Sequence, residues 1–306
     1  IAVIKMSKSI KQFNRWKTEM KSTWAFQVFN KYNDELNNMI WADKSARILL
    51  YETLGKNKAS WTDKASIHLK FDVPVGEEVF VNLEEWSNAY NQFHKWNNLN
   101  SLMAISANFE TYISTVITLA LESDPGVLFQ SSKSIDGIEI LKNGGRKNIF
   151  IGDVITSITK GDWNARISAF KKIFGNIPPV LDAKRGELEK IRVLRNNIGH
   201  AFGRDINDSR NHEVKKILKM ENLSDTALKK YQQVIWATVK DIDKYLLENH
   251  IGEYQAIAFY HRIFNDMNKQ VHSSIRAMAL KKKLGEFGDV SGKEFCKGLV
   301  TYYESL

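Results

Sequence analysis

Apolar residues recur three or four positions apart along most of the chain, and this spacing predicts amphipathic helices. The clearest run lies between residues 101 and 122, and further helices are predicted over residues 10–38, 44–54, 162–174 and 183–198, and from Ser224 onwards. The fold class predicted is therefore mainly α, a helical bundle. The apolar stripe of the clearest helix consists of Leu102, Ile105, Phe109, Tyr112, Ile113, Val116 and Ala120.

One stretch near the N-terminus has a different period. Ile67, Leu69 and Phe71 alternate with polar residues, and Pro74 and Gly76 follow before the next apolar run. Alternation followed by turn residues predicts a small β-hairpin in the N-terminal region. The predicted division of the chain is an N-terminal helical region with the hairpin, a central helical domain and a C-terminal helical extension, over residues 1–95, 96–250 and 251–306.

Composition agrees with long helices and leaves the partner open. Of 306 residues only 4 are proline and 17 glycine, fewer than the turns of an all-β protein require. The net charge of +9 favours contact with a polyanion such as RNA. A solvated basic surface with no partner explains the same charge equally well.

The cellular compartment is predicted from three sequence features. A single cysteine, Cys296, excludes an intramolecular disulfide, as is typical of a reducing cytoplasm. No run of about 18 uninterrupted apolar residues supports a membrane span. The first residues lack the apolar core of a signal peptide. These features predict a cytoplasmic protein that does not contact a membrane.

The candidate chemistry lies at the end of the helix predicted over residues 183–198. Arg195 lies on the edge of the apolar stripe that ends at Ile198, where a guanidinium is costly unless it is paired or binds an anion. Gly199 suits the left-handed position that ends a helix, and it can turn His200 back towards Arg195. Asn196 lies beside this pair.

An arginine and a histidine in this arrangement suit RNA cleavage without a metal. The ribose 2′-hydroxyl attacks the adjacent phosphate, and a histidine transfers the proton near neutral pH. Arg195 stabilises the charge that develops on the phosphate, and Asn196 orients the histidine or the phosphate. The reaction requires a 2′-hydroxyl and so selects RNA over DNA. The competing interpretation is a helix C-terminus, where Arg195 and His200 only favour the helix dipole.

Arg195-Asn196 followed by His200 at a helix end resembles the Arg-polar-x(3–5)-His signature of the HEPN superfamily of helical nucleases, and Glu110 resembles the acidic residue of its first long helix. The resemblance covers about residues 96–250. It implies a HEPN-like bundle of four or more helices and a homodimer in which two Arg–His pairs form one composite site. It also implies that no metal is needed, and that the products carry a 2′,3′-cyclic phosphate and a 5′-hydroxyl. Members include toxins, abortive-infection proteins and other antiviral effectors.

The residues assigned on this basis are a catalytic set, Arg195, His200 and Asn196, with Glu110 in support. Arg192 and Arg204 flank the motif and are predicted to bind RNA, although surface solvation explains both equally well. No metal site and no cofactor are expected, because the histidines lack ligand spacing.

Two other functional interpretations remain open at this point. The first is a non-catalytic helical module that binds RNA or a protein, in which Glu110 is an ordinary solvated residue. The second is an effector whose flanking regions sense a trigger, with an antitoxin or sensor protein as a further partner.

Overall fold

The computed structural model describes residues 13–71, 79–145, 151–213, 215–264, 270–289 and 291–306. These segments are mainly helical and contain no strand, which confirms the mainly α part of the predicted fold class. A 3₁₀ turn spans Pro125–Phe129 and a π turn spans Leu247–Ile251. The α-helices are α1 (Trp24–Lys56), α2 (Ala65–His68), α3 (Leu83–Ser123), α4 (Gly137–Lys142), α5 (Gly152–Thr159), α6 (Trp163–Phe174), α7 (Pro179–Ala183), α8 (Arg185–Ala201), α9 (Ile206–Ser209), α10 (Asp225–Leu246), α11 (Tyr254–Phe264), α12 (Ser273–Glu286) and α13 (Lys293–Ser305).

Helix α3 is the centre of the fold. It begins where the Asn82 side chain accepts a hydrogen bond from the Glu85 backbone N–H, and two glutamates in its first turn complement the helix dipole. All seven residues of the predicted stripe are buried, so this prediction is confirmed. Helices α1, α8 and α10 pack around α3. The helix that carries the Arg195 motif is therefore positioned directly by α3.

Helix boundaries near the motif also follow local sequence signals. Asp162 begins α6 by accepting a hydrogen bond from the Ala165 N–H, and Gly175 follows that helix with φ +82°. The Ser224 hydroxyl begins α10 by accepting from the Ala227 N–H. These boundaries were predicted from the same residues, because a capping side chain satisfies backbone N–H groups that the first helical turn leaves unpaired.

The N-terminal helix prediction is wrong in its boundaries. Residues 13–23 are not helical, and α1 begins only at the Thr23 cap, whose hydroxyl accepts from the Phe26 N–H. From there α1 runs without interruption to Lys56, through the gap that was predicted between two helices.

The predicted β-hairpin is also wrong where the chain is described. Ala65–His68 is helical, and the Leu69 N–H donates to the Ala65 carbonyl as in a helix end. Ile67 is 70% exposed, so the alternating residues do not share a buried face. An isolated pair of strands is marginal in water without such a face. The predicted turn at Pro74 and Gly76 lies outside the described residues.

One hydrophobic core joins all three predicted regions. Its buried members extend from Phe29 to Tyr303. The predicted boundary at residues 95/96 lies inside α3, and that at 250/251 lies inside the π turn Leu247–Ile251. The candidate motif therefore lies on a scaffold that includes elements on both sides of these boundaries.

By length and composition alone, α3 is the one helix of the described chain that could cross a membrane. Many of its side chains are buried in the protein core, including Leu99, Ile117 and Leu121. A core helix and a membrane-spanning helix share this composition, so the feature does not distinguish between them.

A buried arginine fixes the segment before α1 to the core. The Arg15 guanidinium donates to Asp136 from Nε at 3.0 Å and Nη2 at 2.8 Å. It also donates to the Ile251 carbonyl at 3.0 Å and to the Ser123 carbonyl at 2.6 Å. The Arg15 side chain is 1% exposed. These bonds join the N-terminal segment to the C-terminal end of α3 and to the π turn.

We expect Arg15→Met to lower the free energy of unfolding by about 3–5 kcal/mol, because it removes one partner of a buried ion pair and leaves Asp136 uncompensated. Urea unfolding followed by circular dichroism measures the change. Lys17→Met is the control, because Lys17 is exposed and two positions away. A loss below about 1 kcal/mol for Arg15→Met would contradict the anchoring role.

Candidate active site

Helix α8 positions the candidate motif by burying one face. Leu188, Ile191 and Ile198 are buried, and the helix packs against α3, α6 and α10. At 100° per residue, Arg195 lies about 60° from Ile198 around the helix, whereas His200 lies about 160° from it. Arg195 is therefore on the same side of the helix as these buried residues, although its side chain is 34% exposed, and His200 is on the solvent side.

The prediction that Gly199 ends this helix is wrong. Helix α8 continues to Ala201, and Phe202 takes the left-handed conformation with φ +53°. His200 is consequently an exposed helical residue. Five helical positions separate Arg195 from His200, which places their side-chain directions about 140° apart. The predicted convergence of these two side chains within one chain is not present.

Arg195 instead contacts α3. Its Nη2 lies 3.3 Å from Oε2 of Glu110, the acidic residue that was singled out on that helix. Nη2 of Arg166, on α6, lies 3.8 Å from the other oxygen of Glu110. Burial lowers the pKa of Arg166, and the nearby Glu110 carboxylate opposes that shift. One carboxylate thus holds two guanidinium groups from two helices.

Arg192, which was predicted to bind RNA, is neutralised within α8. Glu189 accepts from Arg192 Nε at 3.1 Å and from Nη2 at 2.6 Å. The hydrogen bond with Glu189 raises the pKa of Arg192, and the same bond lowers the pKa of Glu189. Glu189 also accepts from the Trp163 N–H. This pairing lowers the availability of Arg192 for phosphate.

The surface around Arg195 is a shallow patch. Arg195 and Glu110 have side-chain exposures of 34% and 36%, and Arg195 Nη1 donates to the Asn196 side-chain oxygen at 3.2 Å. The cavity beside them is about 20 Å³, enough for about one water molecule. Three arginines are balanced by two glutamates and by Asp162, which lies close to Arg192 and Glu189, so this patch has no net charge. It can bind a phosphate on its surface, but it does not enclose a nucleotide.

A larger groove begins immediately after His200. Its volume is about 700 Å³, and three aromatic rings line it: Phe93 and Trp96 on α3, and Phe202 at the end of α8. Phe93 and Trp96 are stacked with centroids 5.9 Å apart, and Trp96 lies 6.3 Å from Phe202. Lysine and arginine side chains also line the groove.

The cations of this groove have no acidic neighbours along its walls. They are Lys95, Arg204 and Lys219, and none of the described residues that line the groove is acidic. Arg204 donates from Nε to the Leu218 carbonyl at 2.7 Å and from Nη1 to the Phe202 carbonyl at 3.0 Å. Its guanidinium also lies 5.2 Å from the Phe202 ring. Arg204 is thus held in place without a carboxylate partner.

Sequence reasoning missed the aromatic part of this groove. Phe93 and Trp96 are close to each other in the sequence, but Phe202 follows more than a hundred residues later and Lys219 later still. A sequence signal did exist, because two large aromatic residues and Lys95 occur within four positions of a helix. Their use on the surface depends on which face of α3 is left uncovered, and the pattern alone does not determine that.

A second cavity, of about 780 Å³, lies elsewhere, between α1, α3 and α10. At its wall His94 Nε2 lies 2.8 Å from Asp225, and Asn98 donates to the same carboxylate at 2.9 Å. The hydrogen bonds from Asn98 and His94 outweigh burial, which alone would raise the pKa of Asp225, and that pKa is lowered. None of the motif residues lines this cavity.

Metal-binding groups do not cluster in the part of the chain that the structure describes: no three His, Cys, Asp or Glu side chains there are placed to hold an ion. Cys296 is buried, and its burial raises the pKa of the thiol to about 11. A thiol of that pKa is a poor nucleophile and a poor metal ligand near neutral pH.

Comparisons with known proteins do not assign a family. The chain matches no protein-family profile, no curated protein and no solved structure.

Phe202 has a backbone conformation that disfavours every residue with a Cβ atom, at a cost of about 1–2 kcal/mol. We therefore expect the free energy of unfolding of Phe202→Gly to be about 1 kcal/mol higher than that of Phe202→Ala. Both variants lose the ring, so their difference measures the backbone strain. At ordinary helical positions the order is reversed. Urea unfolding checks the order, and equal stability would show that Phe202 is not strained.

Proposed function

We propose that this protein is a metal-independent endoribonuclease that resembles the HEPN superfamily. The observation that carries the proposal is the placement of Arg195 and His200 in the last two turns of one helix, where Arg195 is partly exposed and His200 is exposed, so that each can contact a substrate from its own side of the helix. Arg195 binds the phosphate and stabilises its transition-state charge, and Asn196 orients that guanidinium. His200 transfers the proton of the attacking 2′-hydroxyl or of the leaving 5′-oxygen.

The ion pair with Glu110 positions Arg195 before RNA arrives. Both side chains are about one third exposed, so their attraction is screened by solvent and a phosphate can compete for the guanidinium. Glu110 keeps Arg166 as a second partner when the phosphate binds. Glu110 is therefore a positioning residue in this proposal. When Arg195 binds the phosphate, Glu110 stays paired with Arg166.

The divergence of Arg195 and His200 has a consequence for assembly. A single phosphodiester cannot lie between two side chains that point about 140° apart on the same helix. We infer that the site is composite, with Arg195 from one subunit and His200 from the other across a two-fold axis. Such an interface is isologous, so each dimer contains two equivalent sites. The cellular role we propose is that of a toxin or antiviral effector, restrained by an antitoxin or triggered by a sensor.

A non-catalytic module that binds RNA or a protein is the second candidate. The Glu110–Arg195 ion pair favours it, because the predicted phosphate ligand already has an intramolecular partner at 3.3 Å. His200 makes no hydrogen bond within the described residues, so it is not held in a catalytic orientation by the chain itself. If this candidate is correct, the protein binds RNA but releases no cleavage products.

We expect the purified protein to cleave RNA in EDTA and His200→Ala to reduce the rate by about 100-fold or more, because a general acid–base group contributes 10²–10⁴-fold. The products should carry 2′,3′-cyclic phosphate and 5′-hydroxyl ends, which end mapping identifies. His212→Ala is the matched control, because His212 is also exposed and lies outside the motif. Undiminished cleavage by His200→Ala would exclude the mechanism.

The composite site is tested by mixing two inactive variants. Arg195→Gln and His200→Ala damage different halves of each site, so a mixed dimer keeps one intact site. Random reassortment makes half of the dimers mixed, and we expect about a quarter of the wild-type rate. Each variant alone is the control. A mixture no more active than its components would show that both residues act in the same subunit or in none.

A further inference from the structure

We propose that the groove formed by Phe93, Trp96, Phe202, Lys95, Arg204 and Lys219 binds single-stranded RNA by base stacking and phosphate contact. This inference rests on the proposed function and names its substrate class, a single strand. The groove was not predicted from the sequence, apart from Arg204. Three features carry the argument: a row of aromatic rings, a set of cations without carboxylates and the position of the groove next to His200.

The aromatic rings form a row suited to unpaired bases. The Phe93 and Trp96 planes are 25° apart, and the Trp96 and Phe202 planes are 33° apart, so each ring is inclined by about 30° to its neighbour. Phe93 is 49% exposed and Phe202 60% exposed. Exposed aromatic rings stack on bases of any sequence. Bases inside a duplex are already stacked and do not offer their faces, so the row selects a single strand.

The charges of the groove fit a polyanion. Lys95, Arg204 and Lys219 line it, and the acidic residues among the described part of the chain are not on its walls. Arg204 is held by two backbone carbonyls and by the Phe202 ring, so its charge is oriented without being neutralised. Lys219 is exposed and free to follow the backbone of the strand. An acidic protein surface could pair with these cations, but it has no bases to stack on the row of rings.

The backbone at Phe202 supports a functional role for its ring. Phe202 has φ +53°, and Gly203 follows with φ +74°. A Cβ atom at Gly203 would lie 2.8 Å from the Leu99 side chain, so this turn is packed tightly against α3. The tight turn presents a bulky ring to solvent at a position where glycine is the favourable residue. Strain of this kind, kept at a groove, is typical of a binding site.

The groove is close enough to His200 for one strand to reach both. His200 and Phe202 are separated by one residue, so their Cα atoms are at most about 7 Å apart. A strand whose bases stack on Phe202 and Trp96 would pass its next phosphates along the end of α8. The groove therefore supplies the binding volume that the shallow patch around Arg195 lacks.

The test is fluorescence anisotropy with the full-length His200→Ala protein and a labelled single-stranded RNA of about ten nucleotides. We expect Phe202→Gly in this background to weaken binding about 5- to 150-fold, the range for loss of one stacked base. Lys219→Gln should weaken binding and lower the slope of log affinity against log salt by about 0.7. DNA of the same sequence should bind within a few fold, and a duplex should bind much more weakly.

Matched controls lie outside the groove. Phe129→Gly removes an equally exposed ring near the far end of α3, about 40 Å along that helix from Trp96, and Lys172→Gln removes an exposed lysine on α6. Neither should change the affinity. The proposal is overturned if Phe202→Gly binds as tightly as its parent, if the controls weaken binding equally or if the duplex binds as well as the single strand.

The outcomes separate this proposal from the nuclease assignment. If groove variants lose RNA binding but the wild-type protein does not cleave RNA, the groove proposal is supported and the nuclease mechanism is excluded. If cleavage depends on His200 but Phe202→Gly binds and cleaves like wild type, the nuclease stands and the groove proposal fails.

Discussion

The packing of α8 against α3 is the interaction on which the candidate site depends. Ile191 and Ile198 are buried at this contact, and their burial fixes the rotation of α8 about its own axis. That rotation places Arg195 against Glu110 and leaves His200 in solvent. The same α3 continues past the contact to Trp96, one wall of the groove. A single packing arrangement thus determines both the charged patch and the binding surface.

The buried face of α3 could be predicted from the sequence because buried positions recur with the period of the helix. The stripe on α3 follows a spacing of three and four residues, and every member is buried. The start of α10 at Ser224 was predictable because a side-chain oxygen near unpaired backbone N–H groups acts locally. Sequence signals that involve only neighbouring residues therefore predict local structure even when the fold is unknown.

The errors arose where tertiary contacts outweigh local preference. Residues 13–23 have a helical pattern of aromatic residues, but the buried Arg15 makes four hydrogen bonds to three acceptors in distant segments, and these bonds hold this stretch out of a helix. Gly199 is a favourable residue to end a helix, yet α8 continues to Ala201 because the turn at Gly203 packs on Leu99. Alternation near Ile67 indicated a strand, but Ala65–His68 is helical and Ile67 is 70% exposed.

The motif and the groove each lack what the other has, and this is the strongest reason to treat them as one site. The patch around Arg195 has a cation and a nearby imidazole but only about 20 Å³ of enclosed space, too little to hold a base. The groove has about 700 Å³, aromatic rings and cations, but no histidine or carboxylate on its walls to transfer a proton. RNA cleavage needs both a proton-transfer group and a surface that holds an unpaired strand in register with it. Because His200 and Phe202 are two residues apart, the fold places these two features next to each other, and in the dimer that we propose a second subunit's Arg195 completes the site.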